Sequence, residues 1–487
     1  MRKTWSIALA IAILAAAAAA AVPAGASPEA SPEKVKWGPC PADATAPGLE
    51  CSTIKVPLNH QDPGGEQIDI AISRLASKNP GQRRGVLLTN PGGPSAGLKF
   101  PAELAAAKMP QSVLDSYDLI GFDPRGMGHS TPVTCDLTPE QSAVGNVPPY
   151  ARDAADVTKR AEQSKAIARQ CATSKTAGML PHVSTANTAR DMDRIRAALG
   201  EKKISFAGYS WGTHLGAVYT TLYPQRSDRI MLDSNVGPDG WDYANDRIYA
   251  QGFDDRFPDF AKFAAAASAT YGLGSTPEQV TAKYFDLAAR MDKAPIRDID
   301  GPTFRMLTWG FLFSDAGMPL VGKIWQALDN DQPLPPMGPG EVPGVENLVS
   351  GRYYMICNDS RWPGSVGTYQ RTVAIDRLRH PMFGAAGANV QPCAFWPEAK
   401  EPPVRVGDRG PSNVLMLQNQ RDPATPLAGA KKLRNAFGDR ARMVTVDAGG
   451  HGVYPYVGNK CADTAATTFL LTGQRPDHDL ACAAEPR

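Results

Sequence analysis

The sequence predicts an α/β protein, a mostly parallel, doubly wound sheet carrying an inserted, mainly helical segment. Three observations lead there. Short apolar runs bounded by glycine or charge recur along the chain: GVLLTN at 85–90, YDLIGFD at 117–123, KISFAG at 203–208, DRIMLD at 228–233, NVLMLQN at 413–419 and RMVTVD at 442–447. Runs of this length and composition suit strands buried on both faces. Helical segments fall between several of them. TANTARDMDRIRAALG (185–200) follows the capping residue Ser184, pairs Ile195 with Leu199 on one face and stops at Gly200. Between about residues 236 and 350 the alternation lapses into aromatic and helix-forming stretches (DDRFPDFAKFAAAASATYG, FRMLTWGFLF), which end in DQPLPPMGPGEVPG. Strand signals resume afterwards, so a helical cap inserted into the sheet domain explains this region better than an independent domain.

The N-terminus reads Met1-Arg2-Lys3, then an apolar run from Trp5 to Val22, then Ala24-Gly25-Ala26. This is the pattern of a secretory signal peptide cleaved after Ala26. The run approaches the lower limit of a spanning helix, but its alanine content and A-x-A site favour removal. The expected divisions are a signal peptide over 1–26, a first core part over 27–235 with room for a short propeptide, a cap over 236–350 and a second core part over 351–487. Ahead of the parallel strands, STIKVPLNH and QIDIAISR alternate apolar and polar residues around Asp62-Pro63-Gly64-Gly65, as an antiparallel pair does.

All eight cysteines lie beyond the signal peptide. An even set in an exported chain argues for disulfides, and none is arranged as C-x-x-C. Because loop closure costs least between sequence neighbours, the expected pairs are Cys40–Cys51, Cys135–Cys171, Cys357–Cys393 and Cys461–Cys482. The formal net charge is +2, with no basic run, which points away from nucleic acid and anionic membranes as partners.

Two stretches satisfy G-x-S-x-G, one around Ser95 and one around Ser210. A nucleophile elbow needs a strand leading in, a tight turn and a helix leading out whose N-terminus faces developing negative charge. Ser210 has all three: the strand before it, and WGTHLGAVYTTLY after it, stopping before Pro224. Ser95 lies among Pro91, Pro94 and Pro101, where no useful helix can start. Its loop, NPGGP, suits another task. Directly after a strand it offers unhindered N–H groups, so Gly92 or Gly93 is expected to supply one oxyanion donor and the Trp211 N–H the other. An ordinary glycine-rich turn is the plain alternative.

The base and its orienter should follow in the order serine, acid, histidine. Of seven histidines, His60, His129 and His182 precede Ser210, His214 lies on its helix and His478 is in the tail. His451, in DAGGHGVY after a strand, is the expected base, and His380 is expected at the surface. Asp422, in QRDPATPL at the preceding strand's end, is the expected acid; Asp447, four residues from His451, reads as a turn residue.

With these residues in place, the chain resembles the secreted bacterial tripeptidyl aminopeptidases, relatives of the prolyl aminopeptidases within the α/β-hydrolase fold. The resemblance spans nearly the whole mature chain and rests on NPGGP, YDLIGFDPRGMGHSTPVTC, TARDMDRIRAALG, GYSWGTHLGAVY, ICND, RDPATP and GGHG. Ser95 departs from it, standing where the family's oxyanion loop continues with glycine. The resemblance implies release of N-terminal tripeptides from peptides and proteins with a free α-amine, sometimes with proline at the cleavage side. No cofactor or metal is implied, and the expected protein is a secreted monomer. Holding the substrate ammonium needs a carboxylate, for which Asp242, Asp246 and Asp359, with Asp254 and Asp255 behind them, are candidates. An esterase would use the same triad under a more apolar cap, and a binding protein on this scaffold would have lost a triad member.

Overall fold

The computed structural model describes residues 35–143, 147–337, 344–397 and 401–485. The expected signal peptide lies outside them. The sheet has nine strands: β1 (Leu49–Pro57), β2 (Gln67–Leu75), β3 (Gly85–Asn90), β4 (Tyr117–Phe122), β5 (Ile204–Tyr209), β6 (Ser227–Asp233), β7 (Val414–Arg421), β8 (Ala441–Gly449) and β9 (Leu480–Cys482), in the spatial order β1-β2-β4-β3-β5-β6-β7-β8-β9. β1 and β2 form the expected antiparallel pair, β2 joins β4 antiparallel, and every later pairing is parallel. This is the α/β-hydrolase fold.

Every residue of β3, β4 and β5 is buried, because helices cover both faces of the sheet's centre. That centre is where the candidate site lies, at the carboxyl ends of the strands. Helix Thr185–Ala198 starts as its sequence implies, with the Ser184 hydroxyl accepting from Asn187 N–H, and Gly200 follows its end at φ 73°.

The helical interval extends further than the sequence suggests. It runs from Tyr243–Arg247 through Val366–Arg379 and a 3₁₀ turn at Pro392–Phe395, and the sheet resumes only at Val414. Helix Val345–Asp359 carries the helical interval past residue 350: everything from Val349 to Asn358 is buried, so it shows no amphipathic period in the sequence. The cap's own core is aromatic. Trp325, fully buried, meets Phe260, Phe304 and Tyr284 at ring-centroid separations of 5.0, 5.4 and 5.6 Å. Among the described residues no helix is long and apolar enough to cross a membrane.

The four expected cysteine pairs form. Cys135–Cys171 ties the segment after β4 to the long helix Ala154–Thr173 and closes 36 residues, which in the chain-entropy picture stabilises by about 4 kcal/mol. The double variant Cys135→Ala/Cys171→Ala should therefore melt well below the unsubstituted protein in a thermal scan without reductant. Equal melting temperatures would show that this bridge constrains nothing.

Candidate active site

β5 runs into Ser210, which sits at φ 55° and ψ −124°, and helix Trp211–Leu222 leaves directly after it. A non-glycine residue holds such a backbone only when its surroundings enforce it. Here the Ser210 N–H donates to the Asp233 carbonyl at 3.1 Å, and Thr213 N–H and hydroxyl both donate to the Ser210 carbonyl, at 2.9 and 2.7 Å. The flanking glycines are required by crowding: a Cβ on Gly208 would stand 2.3 Å from the Gly212 carbonyl oxygen, and one on Gly212 would stand 2.8 Å from Asn90 Oδ1.

The NPGGP loop lies against this elbow. A Cβ on Gly92 would fall 2.6 Å from Ser210 Cβ and 3.2 Å from Trp211 N. Gly92 is nevertheless not the free donor expected of it, because its N–H donates to Asn90 Oδ1 at 2.9 Å. The Gly93 N–H and the Trp211 N–H have no protein acceptor among the described residues, the second because it opens a helix. Positive φ falls at Gly92 (95°) and Gly93 (105°) and not at Ser95, so a serine replaces the family's glycine without strain. The Ser95 hydroxyl donates to the Gly92 carbonyl at 2.9 Å. Beyond it, the buried Asp123 carboxylate accepts from Gly97, Leu98 and His129 N–H groups at 2.7, 3.0 and 2.8 Å, which anchors the loop to the end of β4.

Asp422 follows the last residue of β7. Its carboxylate accepts from Ala424 N–H (2.8 Å), Thr425 N–H (2.9 Å) and the Thr425 hydroxyl (2.9 Å), which leaves it fixed to face His451 Nδ1 at 2.9 and 3.1 Å. Burial works against a charged imidazole, but the Asp422 charge and hydrogen bond outweigh it and hold His451 above the ordinary histidine range. The structure thus brings Ser210, Trp211 and the Gly92 end of the NPGGP loop together at the elbow, and Asp422 with His451 on the adjoining strand ends. Asp447 is exposed and pairs with Arg421, and His380 pairs with Asp254 at 2.6 Å.

The acidic candidates separate. Asp246 is completely buried and its Oδ2 accepts from the Gln391 amide, so it offers a substrate no surface. Asp359 is occupied by Thr185, accepting its N–H at 2.8 Å and its hydroxyl at 2.5 Å, and caps helix Thr185–Ala198. Asp255 accepts from Gln251. Asp242 is half-buried, with its side chain accepting from Asn245 N–H; burial pushes its carboxyl up.

Sequence reasoning missed several residues around His451. The Phe313 carbonyl, from the cap, accepts the His451 N–H at 2.6 Å, and the two rings lie 5.3 Å apart. Asn419 Nδ2 donates to the Gly450 and Gly452 carbonyls at 2.9 and 3.0 Å. Ser234 and Asp233 hold the residues after His451. Backbone partnerships of this kind leave no spacing signal; only the polar Asp233-Ser234-Asn235 directly after an apolar strand hinted at them.

Comparison with known proteins supplies the family. A family model described as TAP-like protein matches residues 380–482, which include Asp422 and His451. A tripeptidyl aminopeptidase of Streptomyces lividans is 34% identical over 93% of this chain and 88% of its own. The chain belongs to the tripeptidyl aminopeptidase family. It is accordingly a serine peptidase of the α/β-hydrolase class. The family's neighbours include serine protease Hip1 of Mycobacterium tuberculosis, 27% identical over 92% of this chain and 91% of its own, and carboxylesterase B of the same organism, 29% identical over 89% and 86%.

Burial pushes the Asp246 carboxyl up to about 8, against the opposing pull of Arg352. The ordinary value is 3.8, so between those limits the folded protein keeps a proton that the unfolded chain releases, and stability falls as pH rises. Asp246→Asn removes this titration. Its melting temperature relative to the unsubstituted protein should climb between about pH 4 and pH 8 and level off above; a pH-independent difference would contradict the assignment.

Proposed function

We propose that the protein is a secreted exopeptidase that removes tripeptides from peptide and protein N-termini bearing a free α-amine, through Ser210, His451 and Asp422. The observation that carries this reading is the Asp422–His451 pair on the strand ends beside an elbow whose serine is held at positive φ. In this mechanism His451 Nε2 takes the Ser210 proton as Oγ attacks the scissile carbonyl, and Nδ1–H donates to Asp422, which stabilises the imidazolium. The oxyanion is received by the Gly93 and Trp211 N–H groups. His451 then protonates the departing amine, and water, activated by the same imidazole, hydrolyses the Ser210 ester.

The relatives named tripeptidyl aminopeptidase support the fragment length. Four disulfides and the N-terminal leader pattern support export. For the substrate ammonium we favour Asp242, half-buried, over Asp246, which is fully buried, and Asp359, which Thr185 occupies. A carboxylesterase is the second reading, favoured by the relative of that name; it needs no ammonium site.

Cleavage of one tripeptidyl chromogenic amide with free and acetylated N-termini separates the two readings. A charged hydrogen bond of about 1.5 to 3 kcal/mol makes acetylation cost roughly ten- to a hundredfold in kcat/KM. Equal rates would rule out amine recognition. Ser210→Ala should abolish cleavage of both substrates, whereas Ser95→Ala, which removes one loop hydrogen bond, should keep at least about a tenth of it.

A further inference from the structure

We infer that Asp233, at the end of β6, is a positioning residue for this reaction: it fastens the His451 loop to the nucleophile elbow and presents a second carboxylate to the imidazole. The inference rests on the Ser210–His451–Asp422 reading. Asp233 reaches both halves of the site at once. Its carbonyl accepts the Ser210 N–H at 3.1 Å. Its carboxylate accepts from Val453 N–H at 2.9 Å and Tyr454 N–H at 2.8 Å, two and three residues beyond His451. The Ser234 hydroxyl donates to the same carboxylate at 3.2 Å and accepts the Gly452 N–H at 2.7 Å. A displacement of β6 would therefore carry nucleophile and base together, leaving their mutual geometry unchanged.

The charge matters as well as the bonds. Asp233 is fully buried, and no lysine or arginine bonds to it among the described residues. Burial pushes its carboxyl up to about 7 even with three donors and the His451 charge pulling the other way, so above that pH it stands as an anion. Asp422 and Asp233 are the charged groups that face His451; Phe313, packed on the imidazole from the cap, brings no charge. Tyr209 from β5 and Tyr456 from the loop face Asp233, and both phenols are pushed up by burial first and by Asp233 second. Asp422 orients the ring through Nδ1. Asp233 makes no hydrogen bond to the ring, so its influence passes through the loop backbone and through its field, which favours the imidazolium formed as Ser210 attacks.

The test is the pH dependence of kcat and kcat/KM for Asp233→Asn and Ser234→Ala on a tripeptidyl chromogenic amide, beside Ser210→Ala. An asparagine can accept only one of the two N–H groups and carries no charge. Asp233→Asn should lose about ten- to a hundredfold in kcat with KM changed less than about threefold. Because a neighbouring anion raises a histidine's proton affinity, its removal should move the acidic limb of kcat/KM to lower pH by about half a unit or more. Ser234→Ala keeps the charge, so it should lower kcat several-fold and leave that limb in place. A reduced kcat with an unmoved limb in Asp233→Asn would mark Asp233 as merely structural and overturn the inference, as would activity equal to the unsubstituted enzyme. Should Asp233→Asn fail to fold, Ser234→Ala decides alone, and an unchanged kcat overturns the inference. Residual hydrolysis in Ser210→Ala would instead sink the underlying triad, whatever Asp233→Asn does.

Discussion

The site depends on how the five residues from Gly450 to Tyr454 are held. All five N–H groups have partners: the Arg421 carbonyl, the Phe313 carbonyl, the Ser234 hydroxyl and, for the last two, the Asp233 carboxylate. Two of the carbonyls accept from Asn419. Ordering a loop residue costs about 1 to 2 kcal/mol, and each hydrogen bond returns about 1 kcal/mol net, so bonds at every residue are what it takes to keep the segment in one conformation. Two glycines make the path feasible: Gly450 and Gly452 stand at φ 102° and 92°, and a Cβ on Gly450 would lie 2.8 Å from the Phe313 carbonyl oxygen. An imidazole on a looser loop would face Asp422 only part of the time.

The partners come from three directions, β6, β7 and the cap. The cap is thus built into the catalytic geometry. Besides Phe313, Trp309 Nε1 donates to the Pro423 carbonyl at 3.0 Å, one residue past Asp422, and a Cβ on Gly252 would meet the Asp422 and Pro423 carbonyls at 2.9 and 2.8 Å. A chain of charges follows the same seam: the buried Arg256 pairs with Asp259 at 2.8 Å, Asp259 with Arg421 at 2.9 Å, and Arg421 with Asp447. Arg421 immediately precedes Asp422, so the acid's strand end is fixed from the cap side as well as by β8. Asp447 contributes to this seam from within strand β8, where the sequence reads as a turn, and has no bond to His451.

How much of this was legible in the sequence follows from where each signal lies. Ser210 was readable because an elbow needs glycines at fixed offsets between a strand and a helix, and Asp422 and His451 because each follows an apolar run at a strand's length. The antiparallel pair and the cysteine partners were readable for the same reason: the signals are local. Of Gly92 and Gly93, the sequence does not choose the donor, because the Gly92 N–H goes to Asn90, two residues before it, a bond that glycine content alone does not reveal. Asp246 and Asp359 had the right chemistry for an ammonium and the wrong environment, one enclosed beside Gln391 and the other capping a helix. Helix Val345–Asp359 is hard to read in the sequence because everything from Val349 to Asn358 is buried and shows no amphipathic period. Asp233, Ser234 and Phe313 act through backbone groups brought together from distant parts of the chain, and no spacing rule reaches them.

In the proposed mechanism one serine, Ser210, carries the acyl group while the loop bearing Ser95 receives the oxyanion. The most direct measurement is peptide mapping of the protein after reaction with a serine-reactive phosphonate bearing a tripeptidyl group. A single adduct is expected, on the peptide containing Ser210, at about one per active chain and absent after heat unfolding before labelling. An adduct on Ser95, or labelling that survives unfolding, would contradict it.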